Sequence, residues 1–254
     1  MFRYEEFISR NFPLISKEEE KKLWEIRVGI AGCGMGSQVA VALARLGVVN
    51  FLIADGDVVE VSNLNRQAYR IDQVGFNKAE SLKEILIGIN NSNVVSIPAF
   101  LRTEDVNEFV SAVDLLIDCI DPSFGGLRVS LALNEACRRQ GKLDFYPMPC
   151  GWGGSLYVFA PEGISLQQFF GTKPEELEGK EGFPMECLFK ALRLPEYMGS
   201  VVEALKRGDL HHYPQLIVAT AITSSLVAMA VVKVIRGEKI RVVPDFYFLD
   251  PFEG

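Results

Sequence analysis

A β-α-β unit near the start of the chain constrains the fold more than any other feature. RVGIAG (27–32) is a short apolar run stopped by glycine, which is typical of a strand buried on both faces. SQVAVALARLGV (37–48) predicts a helix with Ser37 as its N-cap and Gly47 as its C-terminal stop. NFLIAD (50–55) is a second apolar run of strand length, so the unit predicts the start of a parallel sheet.

The same alternation continues to about residue 141. NKAESLKEILIGIN (77–90) has apolar residues at helical spacing, and VVSIPAF (94–100) and VDLLIDC (113–119) read as strands with a helix around 104–111 between them. A further helix is predicted at 124–141. We therefore expect an α/β fold: a Rossmann-like open, mainly parallel sheet with helices on both faces.

The second half of the chain has a different pattern. Residues 142–163 are strand-rich and broken by glycine, residues 164–215 show weak periodicity, and RVVPDFYFLD (241–250) predicts final strands. No repeat or clear linker separates the halves, so we expect a single domain over 1–254, extended by C-terminal strands and a crossover region of loops or short helices.

One apolar segment is long enough to cross a bilayer. LIVATAITSSLVAMAVVKVI (216–235) contains Thr220, Ser224 and Lys233, which favour a buried helix over a membrane span. Its small residues suit close packing against a sheet or a second subunit, and we expect no membrane association.

Composition bounds the function and the compartment. The net charge of −7 argues against nucleic acid as a partner, because phosphate binding needs clustered Lys and Arg. Five cysteines without a C-x-x-C pair indicate reduced thiols and no zinc site. MFRYEEFISR (1–10) has no apolar core of signal-peptide length, so a cytoplasmic location is expected.

The turn after the first strand carries three glycines. Gly32, Gly34 and Gly36 in GCGMGS lead into a helix, whose free N–H groups and positive dipole end favour a phosphate. The spacing G-x-G-x-G is one residue shorter than the G-x-G-x-x-G of dinucleotide-binding folds, and a purely structural turn is the alternative.

Acidic and basic residues follow at neighbouring strand ends. Asp55 comes 19 residues after Gly36 and ends the second strand, where a carboxylate can accept hydrogen bonds from a ribose; this fits NAD or ATP and disfavours NADP. Asp121 follows the 113–119 strand. Arg66 and Lys78 can neutralise phosphates while an oxygen ligand holds Mg²⁺, so this combination favours ATP.

These residues lie in motifs that resemble a known family. ADGDVVEVSNLNRQ (54–67), GFNK (75–78) and DCID (118–121), with the glycine turn upstream, look like the ThiF/MoeB/HesA family of ubiquitin-activating-type adenylyltransferases. The matching motifs span roughly residues 10–122, and KVIRG (233–237) is similar to the family's closing helix.

The resemblance implies a function for each matching residue. Asp55 would bind the ribose, Asn63, Arg66 and Lys78 the triphosphate and transition state, and Asp121 would be the carboxylate on the Mg²⁺ side. Asp57 would either assist or only cap its turn. The implied nucleotide-binding set is Gly32, Gly34, Gly36, Asp55, Asp57, Asn63, Arg66, Gln67, Lys78 and Asp121.

The resemblance also implies a reaction and a dimer. A carboxylate, that of the C-terminal glycine of a small ubiquitin-like sulfur carrier or of a peptide, would attack the α-phosphate of ATP and release pyrophosphate. Arg10 in SRN (9–11) would reach into the nucleotide site of a second subunit. Residues 27–142 would form the nucleotide-binding half, and 143–254 the half for acceptor binding and dimerisation.

Other readings remain open from the sequence. A tRNA threonylcarbamoyladenosine dehydratase-like enzyme lies within the resemblance, and an NAD-dependent Rossmann oxidoreductase or a nucleotide-binding protein without activity lies outside it. Cys187 is a candidate acyl-accepting nucleophile and Cys150 its rival, although buried cysteines are usually inert. His211 and His212 are adjacent and predict a surface position rather than a ligand pair.

Overall fold

A computed structural model of the chain describes residues 2–210 and 212–253. The prediction for His211 and the ends of the predicted 1–254 domain therefore lie outside the described residues. His212 is exposed, as predicted.

Seven strands form one open sheet in the order β3-β2-β1-β4-β5-β6-β7. The first five strands run parallel, and the last two continue the sheet antiparallel. This confirms the predicted mainly parallel sheet with added C-terminal strands. The strands are β1 Arg27–Ala31, β2 Asn50–Ala54, β3 Asn93–Ile97, β4 Leu115–Asp118, β5 Asp144–Cys150, β6 Gly153–Phe159 and β7 Tyr247–Leu249.

Helices cover both faces of the sheet. On β2, Phe51 and Ile53 point into a core shared with α3, α4 and α11, whereas Leu52 and Ala54 point into a second core with α5 and α6. The helices are α1 Tyr4–Phe7, α2 Lys17–Glu25, α3 Gly36–Leu46, α4 Lys78–Asn90, α5 Val106–Ser111, α6 Phe124–Arg139, α7 Leu166–Phe170, α8 Pro174–Leu177, α9 Met185–Ala191, α10 Gly199–Arg207 and α11 Ile217–Arg236.

Two predicted boundaries are wrong. Helix α3 begins at Gly36, and Ser37 is not its N-cap, because Met35 already has helical dihedral angles and the glycine turn runs directly into the helix. The Ser37 hydroxyl instead donates to the Gly34 carbonyl and accepts from the Ala68 N–H. In the predicted strand region 241–250 only β7 forms; Pro244 cannot donate to a ladder.

The apolar segment near the C-terminus forms helix α11, with a mean hydropathy of 2.0 over its most apolar window. Among the described residues it is the one helix long and apolar enough to cross a membrane, and 44% of that window is buried inside the protein. The helix packs against α3, β5 and β6, with Val227, Ala230 and Val231 fully buried. The prediction of a core helix is confirmed by this packing.

Candidate functional site

The site lies where the strand order reverses. From β1 the chain builds the sheet toward β2 and β3, and then returns to add β4 on the other side of β1. In open α/β sheets a crevice opens beyond the carboxyl ends of the strands at such a point. The glycine turn after β1, Asp55 after β2 and the 118–121 turn after β4 all follow strand ends at this edge.

The glycine turn requires glycine at two positions. Gly32 has a φ of +87°, and a Cβ there would lie 2.5 Å from the Cys119 carbonyl oxygen, so the β1 and β4 turns approach too closely for a side chain. At Gly36 a Cβ would lie 2.7 Å from Ile30 Cγ2. Close helix–strand packing is the purpose of the third glycine in dinucleotide-binding turns. Gly36 therefore serves that purpose at the shorter spacing.

Gln67 lies beside the remaining glycine of the turn. A Cβ on Gly34 would be 3.4 Å from the Gln67 amide nitrogen. Gln67 is only 8% exposed, and its Oε1 is buried without a hydrogen-bond partner among the described residues. An unsatisfied buried oxygen costs about 1–3 kcal/mol. The Gln67 Oε1 is thus a hydrogen-bond acceptor beside the glycine turn that lacks a donor.

Asp55 fastens the glycine turn to the end of β2. Its Oδ2 accepts the Cys33 N–H at 2.7 Å and its Oδ1 accepts the Asp57 N–H at 2.8 Å. Burial raises the pKa of the Asp55 carboxyl, while the two N–H donors lower it. Each carboxylate oxygen keeps a free lone pair, so Asp55 can still accept bonds from ribose hydroxyls.

Lys78 is the first residue of α4 and its side chain is 10% exposed. Its ammonium lies 2.8 Å from Asp57 Oδ2. The Asp57 carboxylate therefore binds Lys78. The hydrogen bond that caps the turn is formed by the Asp55 carboxylate, which accepts the backbone N–H of Asp57. The positive charge of Lys78 also lowers the pKa of both Asp55 and Asp121, which places the three groups in one electrostatic environment.

Arg66 reaches the same cleft from the loop after β2. Its Nε donates to Gln215 Oε1 at 2.5 Å and one Nη donates to the Ser62 carbonyl at 3.0 Å. Burial lowers the pKa of Arg66 and the nearby Asp121 opposes this shift. An arginine stays charged at neutral pH, so the cleft has a fixed cation facing Asp121.

Asn63 shapes the loop that presents Arg66. Its side-chain oxygen accepts the Glu60 N–H at 3.0 Å, and its backbone carbonyl accepts the N–H groups of Arg66 and Gln67. Asn63 is buried, and in this structure its carbonyl groups form the turn from which Arg66 and Gln67 extend.

Asp121 is exposed in the turn three residues beyond the end of β4. The walls of the cleft displace water and raise the pKa of its carboxyl, while Lys78 and Arg66 lower it. A Cβ on Gly126 would lie 1.9 Å from the Asp121 carbonyl oxygen, so α6 packs directly on this turn. Arg66 and Lys78 therefore lie near enough to Asp121 for their charges to act on its carboxyl.

The structure separates Arg10 from the cleft of its own chain. Asn11 donates to the Leu46 carbonyl, and Tyr4 donates to the Gly47 carbonyl, so the N-terminal segment lies at the C-terminal end of α3. The glycine turn is at the other end of that helix, about 16 Å away at 1.5 Å per residue. Arg10 is exposed there.

Neither candidate cysteine has the setting of an activated thiol. Cys187 on α9 is half-buried, its Sγ donates to the Pro184 carbonyl at 3.2 Å, and burial raises the pKa of its thiol. Cys150 is buried with its Sγ 2.9 Å from the Tyr213 hydroxyl, and burial raises its pKa as well. Reactive cysteines need a lowered pKa and access to solvent.

Three further residues hold the cleft together and were missed by the sequence analysis. The Tyr69 hydroxyl lies within hydrogen-bond distance of the Cys33 and Lys78 carbonyls and links the glycine turn to α4. The Asn77 amide donates to the Asp55 and Asp57 carbonyls. Gln215, far along the chain, contacts Arg66. Only Asn77 has a sequence signal, as an N-cap residue before Glu80.

Metal ligands are sparse in the described part of the chain. Within residues 2–210 and 212–253, no three His, Cys, Asp or Glu side chains come together as a metal site. The absence of zinc stays a prediction. Asp121 alone cannot complete a Mg²⁺ site, but magnesium is commonly held by one or two carboxylates together with substrate phosphates.

The doubly wound sheet, the glycine turn and the charged cleft at the switch point define a class of α/β protein with a nucleotide-type crevice. Comparison of the sequence with models of protein families narrows this class to one family. The model of the ThiF family matches residues 8–254, and the chain belongs to the ThiF family.

Individual relatives are similar to parts of the chain. The chain is 30% identical over 164 residues to the SAMP-activating enzyme E1 of Haloferax volcanii, covering 63% of this chain and 59% of that enzyme. It is 30% identical over 130 residues to the ubiquitin-like modifier-activating enzyme 5 of Caenorhabditis elegans, covering 46% and 31%. The matches thus span less than two thirds of these relatives' own length.

The fold is shared with solved structures. The Escherichia coli tRNA N6-threonylcarbamoyladenosine dehydratase TcdA, in complex with ATP, superposes with a TM-score of 0.66 at 21% identity, covering 92% of this chain and 95% of that one. At this identity the likeness shows the fold alone.

Proposed function

We propose that the protein is an ATP-dependent adenylyltransferase that activates the C-terminal carboxylate of a small ubiquitin-like protein or peptide. The observation that carries the proposal is that Arg66 and Lys78 lie near enough to Asp121 for their charges to act on its carboxyl, at the edge of the sheet where the glycine turn lies. Membership of the ThiF family and relatives named as activating enzymes support the same chemistry.

The residues of the cleft fit a nucleoside triphosphate. Asp55 would accept hydrogen bonds from the ribose, and the glycine turn with the N-terminus of α3 would face phosphate oxygens. Gln67 would find in the nucleotide the partner that its buried Oε1 lacks in the protein. Arg66 and Lys78 would neutralise the triphosphate, with Asn63 holding the loop that presents Arg66.

Asp57 acts on Lys78 in this scheme. Its ion pair keeps the ammonium in place. Because the Lys78 side chain is only 10% exposed, its ammonium needs an anionic partner, and a phosphate would take the place of the Asp57 carboxylate. Asp121 would hold Mg²⁺, which supplies Lewis-acid polarisation of phosphate oxygens when bound.

The proposed reaction is a displacement at the α-phosphorus. One oxygen of the acceptor carboxylate forms a bond to phosphorus, and the bond to the bridging oxygen of the β-phosphate breaks. Pyrophosphate leaves with that electron pair, and the product is an acyl-adenylate. No proton has to be transferred, so positioning and charge neutralisation by Arg66 and Lys78 provide the catalysis.

The acceptor would approach from the half formed by 143–254. Strand β5 continues beyond the end of its partner strand β4 and then turns at residues 151–152 into β6. This turn lies at the same edge of the sheet as the cleft. Trp152 is exposed and its ring centroid lies 5.1 Å from that of Phe252. Cys187 stays a candidate for a later acyl-transfer step and is not required for adenylate formation.

We also propose a homodimer in the cytoplasm. Large apolar side chains next to Arg10, namely Phe12 and Leu14, are exposed in the single chain, as a subunit contact would require. The five free cysteines suit a reducing compartment. Fractionation of cells and measurement of the oligomeric state test these two points.

A second candidate is a dehydratase that acts on a modified tRNA nucleoside. The observation in its favour is the fold that the chain shares with TcdA over 92% of its residues. The net charge of −7 opposes binding of a tRNA. Binding of tRNA that survives physiological salt would favour this candidate.

Acceptor-dependent ATP–pyrophosphate exchange tests the leading proposal. Exchange should appear with a ubiquitin-like protein or a short peptide and disappear when its C-terminal carboxylate is amidated. An NAD-dependent oxidoreductase would show no exchange. Arg66→Ala and Asp121→Ala should each reduce exchange by a factor of about 10²–10³, because removing one preorganised group that stabilises transition-state charge costs this much.

Matched controls come from the same loop. Arg70 and Asp72 form an exposed ion pair with each other, and Arg70→Ala and Asp72→Ala should leave exchange near the wild-type level. Near-normal exchange in folded Arg66→Ala or Asp121→Ala would remove that residue from the proposed site.

A further inference from the structure

Two acidic side chains are completely buried behind the cleft. Asp118 ends β4 at 1% exposure and Asp144 starts β5 at 0%. Asp118 Oδ1 accepts the Ile120 N–H at 3.0 Å, and Asp144 Oδ2 accepts the Asn134 amide at 2.8 Å. The second oxygen of each carboxyl group is buried without a partner among the described residues.

Strand register places the two groups on one face of the sheet. Asp144 pairs with Leu116, and Asp118 lies two residues further along β4, so the alternation of side chains directs all three to the same side. Helix α6 covers that side. Its Ser130 hydroxyl, like the Tyr146 hydroxyl of β5, is also buried and unpartnered, which makes a pocket of polar atoms in an otherwise apolar layer.

Two ionised carboxylates cannot share this setting. Burial raises the pKa of Asp118 to about 6, and burial together with the charge of Asp118 raises the pKa of Asp144 further above its usual range. The described groups that act on the pair are the Ile120 N–H, the Asn134 amide and the nearby Ser130 hydroxyl, and none of them is a cation. The other titratable neighbours, Cys119, Cys137 and Tyr146, are neutral acids at physiological pH.

Hydrogen bonds from backbone N–H groups connect the Asp118–Asp144 pair to the turn that carries Asp121. The bond from Ile120 N–H to Asp118 fixes the residue immediately before Asp121. The Asp121 carbonyl accepts the Ser123 N–H at 2.8 Å, where α6 begins. The direction in which Asp121 enters the cleft is therefore set by a turn anchored on the buried acid.

We propose that Asp118 and Asp144 share one proton and that Asp118, through the Ile120 N–H, is a positioning residue for Asp121. The proton would bridge the two otherwise unpartnered carboxyl oxygens and leave a single negative charge in the pair. The positioning part rests on the proposed adenylyltransferase function, whereas the shared proton does not.

Conservative amides are the decisive variants. In Asp144→Asn the amide oxygen can accept from Asn134 while its NH₂ donates to Asp118, as the shared proton would. In Asp118→Asn the amide oxygen can still accept from Ile120. Asp118→Ala removes that acceptor. Asp245, an exposed acid, provides the matched control Asp245→Asn.

The first experiment measures stability against pH. The folded pair has a raised pKa and an unfolded Asp titrates near pH 4, so the folded state binds the extra proton; stability should fall as pH rises from about 4 through the pKa of the pair. This fall should persist in Asp245→Asn and be reduced in Asp144→Asn. An equal fall in wild type and Asp144→Asn would overturn the shared proton.

Infrared spectroscopy provides a measurement on the unmodified protein. At neutral pH wild type should show the carbonyl stretch of a buried protonated carboxyl group, and Asp144→Asn should lose it. A wild-type spectrum without this band at neutral pH would also overturn the shared proton.

The second experiment compares exchange activity. Asp118→Ala should reduce kcat of ATP–pyrophosphate exchange by about 10-fold to 100-fold through displacement of Asp121, and Asp118→Asn should restore most of it. Equal loss in both variants, or no loss in Asp118→Ala, would overturn the positioning role. If wild type shows no exchange with any acceptor, the adenylyltransferase proposal fails together with the positioning role, while the stability and infrared results still decide the shared proton.

Discussion

Gly36 shows how a single atom can decide the geometry of the cleft. Helix α3 meets β1 so closely that a Cβ at Gly36 would be 2.7 Å from Ile30 Cγ2 and 3.2 Å from Cys119 Cβ. Both neighbours are rigid parts of the sheet edge. A side chain here can be accommodated only if the start of α3 moves away from the strands.

Gly36→Ala should therefore destabilise the protein by about 1–3 kcal/mol, as other overpacked sites do. Exchange activity should fall as well, because the phosphate-facing N–H groups move with the helix. Gly88→Ala is the control: Gly88 is an exposed helix residue with nothing within 4 Å of its added Cβ. That variant should gain about 0.5–1 kcal/mol. Equal denaturation midpoints for both variants would contradict the packing argument.

The sequence predicts the positions of charged residues better than it predicts their partners. Asp55 and Asp121 follow strand ends as expected, and Arg66 and Lys78 lie in the motifs; their roles in a site stay a prediction. Gln215 was not identified, since it lies about 150 positions from Arg66 and only the fold brings the two together. The sequence also could not assign the Asp57 carboxylate to Lys78 rather than to its own turn.

At the scale of elements, α4 connects its own stability to the cleft. Asn77 caps the helix by accepting the Glu80 N–H, and the same amide donates to the Asp55 and Asp57 carbonyls. Lys78 follows directly. Loss of the cap should thus loosen both the helix start and the turns that hold Lys78.

Asn77→Ala should lower stability by about 1 kcal/mol and raise the KM for ATP in exchange. Ser165 caps α7 by accepting the Gln168 N–H, with no contact to the cleft, so Ser165→Ala should cost similar stability with an unchanged KM. Denaturation curves and exchange kinetics measured together separate the two effects. An unchanged KM in Asn77→Ala would show that the cap does not support nucleotide binding.

The main elements were predictable from periodicity, and their ends were not. Strands β1, β2 and β4 and helices α4 and α6 appear within a few residues of their predicted ranges. Where the chain runs straight from turn to helix, as at Met35, the sequence gives no separate cap to recognise. The short helices α7–α10 could not be placed because their sequences are too short to show a period.

At the scale of the whole molecule, Arg10 and the cleft lie at opposite ends of α3 in one chain. If Arg10 serves the cleft of a second subunit, a chain with Arg10→Ala and a chain with Asp121→Ala are each inactive but complement each other. Random mixing makes half of the dimers mixed, each with one complete site, and restores about a quarter of wild-type activity.

Arg66→Ala mixed with Asp121→Ala is the control for this experiment. Both residues belong to the cleft of the same chain, so no mixed dimer contains a complete site and activity should stay absent. Failure of the first mixture to recover activity, with mixed dimers verified by mass spectrometry, would remove Arg10 from the proposed site.

The hydrogen bonds of Asp55 and Tyr69 to Cys33 have a consequence for affinity. These bonds hold the backbone of the glycine turn in place through contacts within the protein alone, without a bound ligand. A binding site that is already preorganised loses little conformational entropy when a ligand binds. A larger share of the energy of each new contact therefore appears as binding free energy.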